Sequence, residues 1–289
     1  MKDGGVVRML YTTRAGHALL RCAMRARIDR AIVLFLRSRL SAPFVPLIAR
    51  MQGIDPGESA EREFASYRAL FLRHKKKIVF DGEPRHLVSP CDGYLSAFRI
   101  RMDGTLVIKG MRYRTEELLA QEEQSALSSV SHRMRTAAHP RALQGGLALL
   151  LRLTPADYHH YHYFDDCIQH RHHYIEGTLH SVQGAALSSQ PVFAHNRRTW
   201  SVLDTAHFGC VREVEVGAFV VGGIVNRYDR GRHARGEEKG FFDLAGSTIV
   251  LLFERGRVRL RASMREKILR GEEVRVRTGE RIGVAGNGR

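Results

Sequence analysis

The chain has 289 residues, 44% of them hydrophobic, and a formal charge of +16. That length and apolar content exclude a disordered polymer and allow one large domain or two small ones. Four cysteines, at 22, 91, 167 and 210, form no CxxC pair and follow no signal-peptide pattern, which excludes a disulfide framework and points to a reducing, intracellular setting.

The charge is unevenly spread. Residues 1–50 hold ten Lys or Arg against Asp3 and Asp29, so half of the net charge sits in about a sixth of the chain. Between these cations stand Leu19, Leu20, Met24, Ile28, Ile32, Val33, Phe35, Leu36 and Leu40, a spacing that predicts amphipathic helices with a cationic face. The longest apolar run, Ala31 to Leu36, is too short to span a bilayer. An anionic membrane surface suits this pattern, because apolar burial and headgroup attraction reinforce one another. A solvated helical face and a nucleic-acid surface are the other readings. No aromatic interleaving or nucleic-acid motif supports the last.

Pro43, Pro46 and the turn Gly53-Ile-Asp-Pro-Gly57 close this first segment, set at residues 1–60. A helix is predicted over Glu61–His74, followed by Lys75-Lys-Lys77. From Ile78 the text is mainly short strands between glycine turns: 94–100, 105–108, 147–153, 174–180, 201–203, 211–216, 218–225, 248–253 and 257–260. A further helix is predicted over 115–127, with Thr115 as N-cap. The expected architecture is α+β: a mostly β catalytic domain over 61–289 behind N-terminal amphipathic helices.

Three places hold residues able to carry chemistry. Ser89-Pro-Cys-Asp-Gly-Tyr94 sets Asp92 in a turn before a strand, a position that an ordinary turn aspartate also fills. Pro155-Ala-Asp-Tyr-His-His-Tyr-His-Tyr-Phe-Asp-Asp166 gathers His159, His160 and His162 after an apolar strand. On an extended backbone His160 and His162 share one face, with His159 and Tyr161 on the other. A metal reading stands beside a polar-loop reading, although the histidines lack helical i, i+4 spacing. Gly246-Ser247 precedes the apolar run Ile249–Phe253. A serine hydroxyl there can attack the unshielded glycine carbonyl if the turn is strained and a base is near; a plain Gly-Ser turn is the ordinary alternative. Asp, His and Ser at strand ends are together the groups that nucleophilic chemistry requires.

With these residues in view, the chain resembles the pyruvoyl-dependent phosphatidylserine decarboxylases over nearly its whole length. Leu10-Tyr-Thr-Thr13 and Gln52-Gly-Ile-Asp55 are similar to the proenzyme start, Ser89-Pro-Cys-Asp-Gly93 to Ser-Pro-x-Asp-Gly, and Lys109-Gly-Met-Arg-Tyr113 to Lys-Gly-x-x-Tyr. Asp157-Tyr-His159 with His162 resembles Asp-Tyr-His-Arg-x-His. Phe208-Gly-Cys-Val211, Val216-Gly-Ala218 and Val221-Gly222 follow in order, and Gly240–Thr248 is similar to the processing site. The chain departs from the pattern at Ala245, before the cleaved pair, at His160, where Arg is common, at Tyr163 and at Cys91.

The resemblance implies that His162, held by Asp92, is the base for Ser247, which attacks the Gly246 carbonyl and splits the chain into 1–246 and 247–289. Ser247 becomes a covalent pyruvoyl group, the cofactor that takes up the substrate amine and the electron pair left by CO2. His159 is the candidate proton donor or contact to the lipid phosphate. No metal is implied. The implied partners are phosphatidylserine, an anionic membrane surface, and the two processed chains as a homodimer of heterodimers, with no nucleic acid. The implied place is peripheral, on the cytoplasmic side of the cell membrane. An unprocessed, catalytically silent membrane-binding homologue is the alternative.

Overall fold

The computed structural model describes residues 28–119, 140–181, 191–218, 223–244 and 247–287, together with Met9, Thr13 and Gly16. Most of the expected basic segment before residue 28, the Val221-Gly222 pair, residues 120–127 of the predicted helix, and Ala245-Gly246 lie outside these residues.

A nine-stranded antiparallel sheet dominates. Its centre is Ser247–Phe253, flanked by Gly209–Gly217 on one side and Leu147–Leu153 on the other. Arg198–Thr205 continues beyond Gly209–Gly217, and Gly93–Arg99 beyond Leu147–Leu153. Every residue of Ser247–Phe253 is buried. The period of two explains how. Val250 and Leu252 face one apolar cluster with Ala148, Leu150 and Val214, while Ile249, Leu251 and Phe253 face a second with Leu149, Leu151 and Leu153. A strand buried on both faces reads in sequence as an unbroken apolar run, which is why 147–153 and 248–253 were legible.

Three smaller elements carry the site. Gly223–Asn226, Glu238–Asp243 and His160–His162 form a three-stranded sheet. His86–Val88, Arg281–Ala285 and Val258–Leu260 form another, and Thr105–Ile108 pairs with Met111–Arg114. The helices Ile28–Arg37 and Val45–Gln52 pack with Tyr67–Phe71 around Val33, Val45, Ala49, Leu70 and Phe71. This cluster draws on residues both sides of position 60.

The helix predicted over 61–74 shrinks to Tyr67–Phe71. Ser66 caps it, its hydroxyl accepting from the Ala69 amide at 3.2 Å. Upstream the chain pairs with itself instead: Ser59 bridges to Lys75, and the Ala60 amide donates to the His74 carbonyl at 2.8 Å. Glu61, the predicted first turn, is spent on the His74 amide and ring. Thr115 begins the helix Thr115–Leu119 as its first residue.

Candidate active site

The turn before Gly93–Arg99 is fixed by glycine. At φ +147° a Cβ on Gly93 would lie 2.6 Å from the Arg152 carbonyl oxygen, so only glycine lets these two strands meet. Asp92, beside it, is buried and fully engaged. Lys75 Nζ donates to both carboxylate oxygens, at 2.7 and 2.6 Å, and Thr278 donates its amide and its hydroxyl, each at 2.9 Å. Burial would raise the Asp92 pKa, but the Lys75 charge and the Thr278 bonds outweigh it and hold the carboxyl below its ordinary value. The resemblance implied that Asp92 holds the His162 ring; among the described residues the Asp92 carboxylate is instead bonded by Lys75 and Thr278.

His162 is tied instead through its backbone, the amide donating to the Pro90 carbonyl at 2.9 Å. Its ring lies between aromatic neighbours, with the Tyr158 centroid 6.2 Å and the Phe80 centroid 5.6 Å away. Nδ1 is buried and without a hydrogen-bond partner among the described residues. Burial pushes its pKa down to about 4, so the imidazole is neutral with a free lone pair.

His160 and His162 share the face covered by Tyr158, as an extended backbone requires. His160 bridges two elements, Nδ1 to Glu238 at 2.9 Å and Nε2 to the Leu72 carbonyl at 3.2 Å. Arg227 meets the same Glu238 oxygen. The role is structural.

His159 stacks on Phe71, ring centroids 3.7 Å apart. It is fully buried, with neither ring nitrogen hydrogen-bonded among the described residues. Burial, helped by the Arg73 charge, pushes its pKa down to about 3. Asp157, two residues earlier, closes the turn by accepting from the Thr154 amide and hydroxyl, and pairs with Arg275. Arg73 holds the same turn through the Ala156 carbonyl at 2.7 Å. A cavity of about 160 Å³ opens beside Asp92, lined by charges of both signs: Arg73, Lys75, Arg275 and Arg277 with Asp55 and Glu58. Sequence reading missed Arg73, Lys75 and Thr278; the only signal was the Lys75-Lys-Lys77 run.

Ser247 opens the central strand opposite Gly217 and Leu153. Its hydroxyl is fully buried and has no hydrogen-bond partner among the described residues. Leaving such a group unpaired is costly; the neighbouring Thr248 hydroxyl is in the same state among the described residues. Just before it, the chain leaves the sheet that carries His160–His162: the Phe242 amide donates to the His159 carbonyl at 3.0 Å, and Leu244 has a positive φ of 52°. Glu238–Asp243 thus lies in the histidine sheet and Ser247–Phe253 in the central sheet. Cys91 is buried and its thiol pKa is raised well above its usual value by burial, the mark of an inert group. No three His, Cys, Asp or Glu side chains among the described residues are grouped as metal ligands.

The sequence model of the phosphatidylserine decarboxylase family matches residues 64–284. The chain belongs to the phosphatidylserine decarboxylase family. It is 37% identical to a phosphatidylserine decarboxylase proenzyme of Ruminiclostridium cellulolyticum, over 97% of this chain and 91% of that protein. It is 33% identical to phosphatidylserine decarboxylase proenzyme 2 of Clostridium acetobutylicum, over 96% and 91%. A third such proenzyme, from Desulfitobacterium hafniense, is 30% identical over 98% and 93%. Membership of a phosphatidylserine decarboxylase family agrees with the mostly β, α+β architecture and gives the orphaned Ser247 hydroxyl a context.

Proposed function

We propose that the chain is a proenzyme that cuts itself between Gly246 and Ser247 and then decarboxylates phosphatidylserine to phosphatidylethanolamine. The observation that carries this reading is the buried Ser247 hydroxyl, without a hydrogen-bond partner among the described residues, at the start of the central strand in a chain of this family. A pyruvoyl group at 247 fits, because its precursor oxygen is already placed in a dry site.

Neutral His162 takes the Ser247 hydroxyl proton, and the oxygen attacks the Gly246 carbonyl carbon. The C–N bond breaks, leaving an ester and a free amine on Ser247. Loss of the Ser247 Cα proton and cleavage of the serine C–O bond release Gly246 as a carboxylate and leave dehydroalanine. Water then displaces ammonia, and a pyruvoyl group heads the chain 247–289.

Once formed, that group supplies the electron sink that no side chain provides for loss of CO2 from an amino acid headgroup. The chain's own residues bind and orient. The cavity beside Asp92 offers the Arg73 guanidinium, among charges of both signs, to a headgroup that carries a phosphate and a carboxylate. His159, neutral and with neither ring nitrogen hydrogen-bonded among the described residues, is the candidate contact to the headgroup phosphate or donor to the carbon to be protonated.

The lipid is reached at a membrane surface. Ile32, Leu34, Phe35, Leu40, Phe44, Leu47 and Met51 are all exposed on the N-terminal helices. No single helix among the described residues is long and apolar enough to cross a bilayer; the bent pair Ala31–Arg37 and Arg39–Gln52, angled at 79°, passes that test only as a pair. We place the protein on the cytoplasmic face of the cell membrane as a peripheral enzyme, a dimer of processed heterodimers.

Mass measurement of the purified chain tests the reading. Two fragments, 1–246 and 247–289 with a blocked N-terminus, are expected, a single chain for Ser247→Ala, and CO2 release from serine-labelled lipid only with the cut protein. A wild-type chain that stays whole is the silent homologue and overturns the proposal.

A further inference from the structure

We propose that Asp243 is a positioning residue for self-cleavage: with Arg37 and Arg68 it fastens the N-terminal helices to the chain just ahead of the scissile bond and keeps Leu244 strained. The inference rests on the reading that the chain cuts itself at Gly246-Ser247.

Asp243 ends the strand Glu238–Asp243, paired through its backbone with Gly223. Its side chain is 6% exposed, and each carboxylate oxygen has its own arginine. Arg37 Nη2 donates to Oδ2 at 2.8 Å, and Arg68 Nε donates to Oδ1 at 2.9 Å. The two arginines come from different helices, Ile28–Arg37 and Tyr67–Phe71. These charge-assisted bonds tie both helices to that strand end, and they are directional as well as strong.

The next residue shows what the tie does. Leu244 has φ +52°, a conformation that costs a bulky L-residue free energy and persists only where the surroundings impose it. Its side chain is buried in the helical cluster with Val33, Val45, Leu70 and Phe71. On the other side, Ser247 is locked into the central sheet opposite Gly217 and Leu153. Leu244 and Ser247 are thus each held in place, and the strain at Leu244 can be relieved when the Gly246-Ser247 bond breaks. Without the Asp243 pairs Leu244 is free to relax, and the same bond reacts from a lower ground state.

The test is the rate of fragment formation in freshly refolded full-length precursor, followed by gel and mass spectrometry beside thermal melts. Asp243→Asn is expected to cut about tenfold more slowly. Arg68→Gln, at a half-exposed side chain, is expected to slow cleavage with little risk to folding, and Arg68→Lys to restore much of the rate. The double variant D243N/R68Q should be no slower than D243N alone, because both remove one contact. Met264→Ala loosens the helix Ala262–Leu269 in a different apolar cluster, one that holds neither Asp243 nor Leu244, and serves as the stability control; it should melt earlier yet cut at the wild-type rate. D243N and R68Q cutting at the wild-type rate, or slowing no more than M264A does, would overturn the proposal. A wild-type chain that never cuts would instead remove the cleavage reading and this proposal with it.

Discussion

His162 differs from an ordinary histidine by its surroundings alone. Burial holds its pKa near 4, so it is the neutral base over a range where a solvated imidazole, at about 6.5, is already protonated. The acid limb of the self-cleavage rate should therefore lie near pH 4 to 5, with little loss between pH 8 and 6. A precursor whose cleavage halves near pH 6.5 would contradict a His162 pKa held down by burial. His162→Ala should leave the precursor whole for days while its melt stays near wild type. At Gly93 the constraint is steric. Gly93→Ala drives a Cβ into the Arg152 carbonyl, 2.6 Å away, and overpacking of this kind costs about 1–3 kcal/mol. Because Asp92 adjoins it, chemical denaturation should show that loss together with slower cleavage; an unchanged midpoint would contradict the contact.

Among the elements, the strands Gly209–Gly217 and Glu238–Asp243 carry the least expected feature. Glu213, Glu215 and Lys239 are all fully buried. Lys239 Nζ pairs with Glu213 at 3.2 Å and with Glu215, while Thr199 donates to Glu215 at 2.5 Å. One cation between two carboxylates leaves one negative charge in excess, and burial pushes Glu213 up to about 7. Lys239→Met strands both carboxylates, and losing one partner of a buried pair costs about 3–5 kcal/mol. Urea unfolding at pH 7 should show that loss, and a smaller one at pH 5, where the stranded carboxylates are protonated. None of this was legible in the sequence, because Glu213 and Glu215 alternate with apolar residues as solvent-facing residues do. What was legible followed the same rule: Leu147–Leu153 and Ser247–Phe253 carry apolar side chains to both faces and announce themselves. The short strands His86–Val88, Cys167–Gln169 and Val274–Val276 have too few residues to show a period. At the site, Asp92, His159, His162 and Ser247 stand out through motif order. Lys75 and Thr278, which take Asp92, stand out through nothing local, since only the fold brings them to it.

For the whole molecule, acid stability is set by buried histidines. His159, His162 and His172 are held neutral chiefly by burial, down to about 3, 4 and 4, whereas the unfolded chain protonates them near 6.5. Below pH 6.5 the unfolded state thus binds more protons, so stability falls as the pH drops toward 4. Glu213, raised to about 7, has the opposite sign between about 4.5 and 7, but it is one group against three. The melting temperature should decline from pH 7 to pH 5, before ordinary carboxylates titrate. His172→Asn, outside the proposed machinery, should make that decline shallower; an unaltered slope would count against the assignment.

The proposed membrane docking would engage the molecule as a unit, because the helices that carry the exposed apolar face are the ones packed against Leu244. Leu34, at 69% exposed, Leu40, at 73%, and Met51, at 77%, leave more apolar surface in water than folding alone explains. Burying one such side chain gains about 1.5–3 kcal/mol, and each nearby arginine adds about 1 kcal/mol on an anionic surface. Leu34→Glu combined with Met51→Glu should therefore weaken partition onto phosphatidylserine vesicles at least about tenfold, with the wild-type affinity itself falling as salt screens Arg39 and Arg50. Both side chains are solvent-facing, so fragment formation and thermal melt should be unchanged. Decarboxylation then separates surface access from chemistry. Release of CO2 from vesicle-borne lipid should drop with binding, while release from a short-chain, monomeric phosphatidylserine should hold at the wild-type rate. Equal loss on both substrates would mean that these side chains serve the site itself, and unchanged vesicle binding would mean that the bilayer is met by another face.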